Sequence, residues 1–167
     1  MRLSVGDAVV YGTHGIGRIV AREEREVLGA RREVVVVELA GGLTATLPLE
    51  RAKEHLRPLA SKDVIRKVQE TLRTDRTLRS DPWLSRRREA LEKLAAGDPV
   101  QLAEIVREGA QREKMRRGNG GKSGLSPGER DLFTRAWKLL AGEIASARGI
   151  DVAEADRWIE EQLASAE

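Results

Sequence analysis

Cysteine is absent from the 167 residues, which excludes disulfides, a thiol nucleophile and any thiolate-ligated zinc. Histidine occurs twice, at His14 and His55, too seldom for most metal centres. No apolar run reaches the length of a membrane span, so no membrane partner is expected. The opening Met1-Arg2-Leu3-Ser4-Val5-Gly6-Asp7 lacks the apolar core of a secretion signal, and the chain reads as cytoplasmic. No internal repeat is visible. Charge is abundant instead: 34% of residues are Asp, Glu, Lys or Arg against 40% hydrophobic, the balance of a folded chain with a polar surface. The length suits one or two small domains.

The formal net charge of +3 hides a gradient: +1 over residues 1–60, +6 over 61–122 and −4 over 123–167. A basic middle third suits a polyanionic partner, and equally a solvated helical surface.

Hydrophobic patterning divides the chain. Residues 5–48 read as short strands: Val5–Tyr11, Ile16–Val20, the run Val34–Val37, and Leu43–Leu47. β-Branched enrichment favours strand over helix, and Gly29-Ala30 and Gly41-Gly42 signal hairpin turns. Gly12, Gly15 and Gly17 suit tight bends better than a dinucleotide fingerprint, because their spacing is wrong and a strand follows. Four or five short strands within 60 residues predict a small, strongly bent barrel.

From Ser61 the period becomes helical. Val64, Ile65, Val68 and Leu72 form one stripe, and a loop over residues 73–82 ends at Asp81-Pro82. A second helix covers about 83–96, and a third starts at Asp98-Pro99 with Leu102, Ile105, Val106 and Ala110 inward. Arg117–Gly124 is a Gly-rich loop. Ser126-Pro127-Gly128-Glu129 has capping-box spacing and opens a long helix with Leu132, Phe133, Ala136, Leu139, Leu140 and Ile144 inward, ending at Gly149. Asp151 caps a last helix carrying Ala155, Ile159 and Leu163.

No catalytic constellation emerges. Gly120-Gly121-Lys122-Ser123 lacks the glycine a phosphate loop requires five residues before Gly121, where Arg116 stands. His14 reads as a surface turn residue, and His55 has no Ser or paired carboxylate near it in sequence. The chain is therefore read as a non-enzyme without cofactor or metal. The informative element is Pro82-Trp83-Leu84-Ser85-Arg86-Arg87-Arg88. Arginine forks match phosphate oxygens, and an aromatic beside them can stack on or wedge between bases. A core tryptophan with solvated arginines behind it is the other reading. Presented at a helix start, Trp83 is expected to be dispensable for folding, whereas truncating a core tryptophan costs about 3–5 kcal/mol. Trp137 and Trp158 read as packing between helices.

The order of these segments resembles the CarD/CdnL family of bacterial RNA-polymerase-binding transcription regulators. The similarity is carried by Val5-Gly-Asp-Ala-Val-Val-Tyr11 with Gly15, by Leu91-Glu-Lys-Leu-Ala-Ala-Gly-Asp98, by Ala103-Glu-Ile-Val-Arg107 and by Leu125-Ser-Pro-Gly-Glu-Arg130. Trp83 with Ser85-Arg86-Arg87 resembles the family's Trp-Ser-Arg-Arg-aromatic stretch, shifted by one residue.

The resemblance implies an α+β chain of two domains. These are a small Tudor-like, RNA-polymerase-interacting β-barrel over residues 1–58 and a compact all-α, DNA-binding domain of about five helices over 61–167. A sheet edge of the barrel would pair with the polymerase β subunit, as in transcription-repair coupling factor. The helical domain would lie on promoter DNA at the bubble edge without sequence specificity, its tryptophan in the minor groove, and stabilise the open complex. The implied DNA-binding positions are Trp83, Arg86, Arg87 and Arg88, with Arg87 where relatives often carry an aromatic. Arg25 and Val27 match polymerase contacts, and a third such contact, often arginine, falls at Thr46. A monomer is expected. The alternative is an adaptor whose barrel engages polymerase or a repair partner without wedging into DNA.

Overall fold

The computed structural model describes residues 2–118 and 124–166. The chain divides into two compact units, Met1–Leu59 and Ala60–Glu167.

The first unit contains β1 (Ala8–Tyr11), β2 (Ile16–Val27), β3 (Ala30–Leu39), β4 (Thr44–Pro48), helix α1 (Leu49–His55) and β5 (Leu56–Pro58). They form an antiparallel five-stranded sheet in the order β4-β3-β2-β1-β5. The sheet is bent but does not close, so the expected barrel is an open sheet with β4 and β5 as its edges. A register shift between Ile19 and Ala21 leaves Val20 as a bulge, which kinks β2 and increases its twist. Alternation along β3 sends Val35, Val37 and Leu39 into a core with Val9, Ile19, Leu47, Leu56 and Ala52 of α1. Gly17 lies opposite Leu39, and a Cβ there would come within 2.6 Å of Val37 Cγ1, which explains a glycine inside a strand.

Two features depart from the sequence reading. The β2–β3 hairpin runs well past Val20, out to Val27 and Ala30, through a charged stretch that carries no apolar alternation. Arg22 braces it, donating to Glu33 Oε1 at 3.0 and 2.5 Å and to the Leu3 carbonyl at 2.8 Å. The turn falls on Leu28-Gly29, one residue before the Gly29-Ala30 signal, with φ of 53° and 81°. Positive φ at both positions is the type I′ geometry that matches strand twist, so the ladder holds a leucine in a backbone region it disfavours.

The second unit is helical: α2 (Lys62–Arg73), α3 (Trp83–Ala96), α4 (Pro99–Gly118), α5 (Pro127–Arg148) and α6 (Val152–Ala164). The caps at Asp98, Ser126 and Asp151 are those the sequence announces, and Ser61, marked there only as the start of the helical period, is a fourth. Ser61 Oγ accepts from the Val64 amide at 3.2 Å, Asp98 from Val100 at 3.0 Å, and Asp151 from Glu154 at 2.7 Å. Ser126 and Glu129 complete a reciprocal capping box. Gly97 and Gly149 close α3 and α5 in the left-handed conformation. One core gathers Val68 and Leu72 of α2, Leu94 of α3, Leu102 and Val106 of α4, Leu140 and Ile144 of α5, and Ile159 of α6. Trp137 donates to Asp156 Oδ1 at 2.8 Å and Arg148 lies 4.7 Å from the Trp158 ring centroid, so both tryptophans join α5 to α6. α4 continues through Arg117 to Gly118; residues 119–123, with Gly120-Gly121-Lys122-Ser123, lie outside the described residues.

Candidate nucleic-acid and protein interfaces

Pro82, at φ −56°, immediately precedes α3 and sets its direction without a side-chain cap. Its carbonyl accepts the Arg86 amide at 3.1 Å, so Trp83 is the first residue of the helix. The start of α5 meets it there. A Cβ on Gly128 would lie 2.8 Å from Trp83 Cζ2, so the indole rests directly on that glycine. Trp83 is half-buried and packs against the helical core. Its truncation therefore costs folding free energy, contrary to the expectation of a dispensable ring.

Arg86, one turn along α3, has its guanidinium carbon 5.4 Å from the Trp83 ring centroid. Its Nε donates to the Asp81 carbonyl at 3.1 Å and its Nη1 to Glu129 Oε2 at 3.2 Å. Arg116, near the end of α4, grips the same carboxylate with both nitrogens, Nη1 at 2.5 Å from Oε1 and Nη2 at 3.2 Å from Oε2. Glu129 is only 8% exposed and also accepts the Ser126 amide at 3.1 Å. Burial pushes its carboxyl up, but Arg116, the Ser126 amide and hydroxyl, and Arg86 outweigh that and hold it down at about 2. One carboxylate thus ties together the starts of α3 and α5 and the end of α4.

The predicted DNA-binding arginines therefore separate by role. Arg86 is mostly buried and spent on Glu129, Asp81 and the indole. Arg87 and Arg88 are exposed and have no ion-pair partner among the described residues. Glu129 and Arg116 were not legible as partners of this site. The capping box marks Glu129 only for its own helix, and nothing local links it to a residue 43 positions earlier.

In the first unit Arg25 pairs in register with Arg32, Val27 with Ala30, and Thr46 of β4 with Val36, whose other neighbour is Ala21. Alternation from Ala21 places Arg25, Val27 and Thr46 on one face of the sheet. Arg25 and Val27 lie on the part of the hairpin that projects beyond β4, while Thr46 is exposed on the edge strand. Arg25 is half-exposed and ion-paired with Glu23 on the same strand. His14 is exposed against the Tyr11 ring, and His55 is exposed at the end of α1. Among the described residues no group of three or more His, Asp or Glu is placed to hold a metal ion, and no helix is long and apolar enough to cross a membrane.

The chain thus joins an open antiparallel sheet with an exposed edge to a helical unit in which Trp83 and Arg86 meet at a helix start. Comparison with known proteins assigns each part. Residues 3–60 match the CarD-like/TRCF RID domain, and residues 67–160 match the CarD C-terminal domain. The chain belongs to the CarD family of transcription factors. It is 24% identical over 148 residues to the protein of Bacillus subtilis (strain 168) called "Putative transcription factor YdeB", covering 87% of this chain and 92% of that one. Over 40 residues it is 55% identical to the transcription-repair-coupling factors of Mycobacterium bovis (strain ATCC BAA-935 / AF2122/97) and Mycobacterium tuberculosis (strain CDC 1551 / Oshkosh). That match spans 24% of this chain and 3% of each of those proteins.

Proposed function

We propose that the chain bridges the RNA polymerase β subunit and promoter DNA, and lengthens the life of the open complex. The observation that carries this reading is the mounting of Trp83: an indole fixed on Gly128 and under Arg86 at a helix start, with Arg87 and Arg88 unpaired on the next turn. A ring held from behind in this way can meet a poorly stacked base step, while the free guanidiniums take the adjacent phosphates. The family match of residues 3–60 and the exposed β4 edge support polymerase binding by strand addition, with Arg25, Val27 and Thr46 on the participating face. Each interface is small, and joining them on one chain raises the effective concentration of the second contact.

The test is open-complex lifetime on a promoter fragment with wild-type protein and with Trp83→Phe and Trp83→Ala. Stacking is worth about 1–3 kcal/mol per base, so Trp83→Ala shortens the lifetime effect by up to roughly a hundredfold and Trp83→Phe retains part of it. Equal loss of lifetime and of folded protein in both variants refutes the wedge.

A second reading has its own observation. Arg86 faces the protein rather than solvent, held by Glu129 and the Asp81 carbonyl, which removes one of the three arginines from the set free to meet DNA. This favours an adaptor that uses the sheet alone. Titration against forked promoter DNA and, separately, against the β-subunit lobe distinguishes the two, since the adaptor binds only the lobe.

A further inference from the structure

The helical unit contains a cavity that the promoter-bridging reading leaves unused. It is a cleft open to solvent, with a volume of about 1060 Å³, at the upper limit of small-molecule sites, and lies between the 74–82 segment, the second half of α4 and the end of α6. Five cationic side chains line it, Arg76, Arg79, Arg107, Arg112 and Lys114, against one carboxylate, Asp75. Asp75 is already engaged by Gln111 Nε2 at 2.8 Å. Arg79 pairs with Glu89 and Arg112 with Glu108, but Arg76, Arg107 and Lys114 have no ion-pair partner among the described residues.

Two of these groups are in an environment that water-exposed arginines avoid. Arg112 is 7% exposed, and its Nε is buried without a hydrogen-bond acceptor; the same holds for Nε of Arg107. Arg107 makes only a long contact, 3.4 Å, to the Thr71 carbonyl. Burial, followed by the positive charge of Arg76, disfavours its protonated form. Both Nε atoms are closed off from the cleft, and Arg112 already donates Nη2 to the Arg79 carbonyl at 2.7 Å and to Glu108 at 3.1 Å, so what the cleft offers an anion is its excess of cationic side chains over a single carboxylate. Leu78 and Leu163 supply an apolar wall beside the cations.

We infer that this cavity binds a small phosphate-bearing ligand with an apolar or planar body, of the nucleoside diphosphate class. The phosphates pair with the exposed Arg76 and Lys114 in the field of Arg107, and the body lies on the apolar side of the cleft at Leu78 and Leu163. Duplex DNA is the poorer candidate, because a phosphate backbone leaves the apolar side of the cleft at Leu78 and Leu163 uncovered. The site is separate from Trp83 and from the sheet, so it stands or falls independently of promoter bridging.

Calorimetric titration of the full chain with ADP, pyrophosphate and inorganic phosphate, with sulfate at equal ionic strength as control, tests the inference. ADP is expected to bind saturably with 1:1 stoichiometry, at least tenfold more tightly than inorganic phosphate, and to raise the melting temperature. Arg76→Glu combined with Lys114→Glu, two exposed substitutions that leave the core intact, is expected to weaken ADP at least tenfold while the ligand-free melting temperature stays within a few degrees. Arg107→Gln provides a second, charge-neutral variant. Absence of saturable binding, equal binding of sulfate, or unchanged affinity in a folded Arg76→Glu/Lys114→Glu protein overturns the site. Displacement of ADP by a short DNA duplex overturns the assignment to a small molecule, since it identifies the phosphate source as the DNA backbone.

Discussion

The Trp83 indole lies against Gly128 so closely that even a methyl group on that residue would come 2.8 Å from Cζ2. The two are 45 positions apart, and each is the first or second residue of its helix. A close contact at two helix starts is how an aromatic side chain is held in one orientation.

Gly128→Ala is therefore expected to lower stability. In an ordinary first-turn position the exchange would stabilise by about 0.4–1 kcal/mol, because it restricts the unfolded chain. Here the methyl must displace a ring that also carries Arg86. Thermal unfolding together with tryptophan emission checks this, and in a Trp83→Leu background the same exchange becomes neutral or stabilising.

Glu129 makes stability depend on acidity. Its folded value of about 2 lies below the ordinary 4.5, so the contribution is fully present above about pH 4.5 and is lost as pH falls toward 2. A depression of this size corresponds to at most about 3 kcal/mol. Urea unfolding at pH 5.5 and at pH 2.5 gives a large difference for the wild type. Glu129→Gln is destabilised at pH 5.5 by about 3–5 kcal/mol, because Arg86 and Arg116 lose their counter-charge, and its remaining acid dependence is smaller.

The three consecutive arginines respond differently. Arg87→Glu and Arg88→Glu leave the melting temperature unchanged and each reduce the slope of log K against log salt for DNA by roughly one unit. Arg86→Glu places a second carboxylate beside Glu129 and lowers the melting temperature markedly. Equal behaviour of all three in both measurements contradicts the division of roles.

Arg25→Glu acts on the other interface. The side chain is half-exposed and paired only within its own strand, so folding is unaffected. Binding to the β-subunit lobe weakens, chiefly through a slower association rate, and DNA binding by the helical unit does not change. Surface-immobilised β lobe gives both rates directly.

By itself the sequence determined the elements with local signals. Helix starts at Ser61, Asp98, Ser126 and Asp151 and stops at Gly97 and Gly149 are written in one to four residues each, because capping hydrogen bonds join near neighbours. The resemblance of ordered motifs likewise pointed to the family and to the sheet-then-helices arrangement. Only the tertiary structure decided the rest. The hairpin reaches Val27 and Ala30 because strand pairing stabilises a charged stretch without apolar alternation, and that register moved the turn to Leu28. α1 and β5, unsignalled by any cap or long apolar run, are held by burial of Ala52 and Leu56 in the sheet's core. Whether Trp83 is core or surface, and whether Arg86 faces solvent or Glu129, depended on a carboxylate 43 residues away. Such pairs have no period or spacing to read, since their energy comes from desolvation and geometry that exist only after the helices have packed.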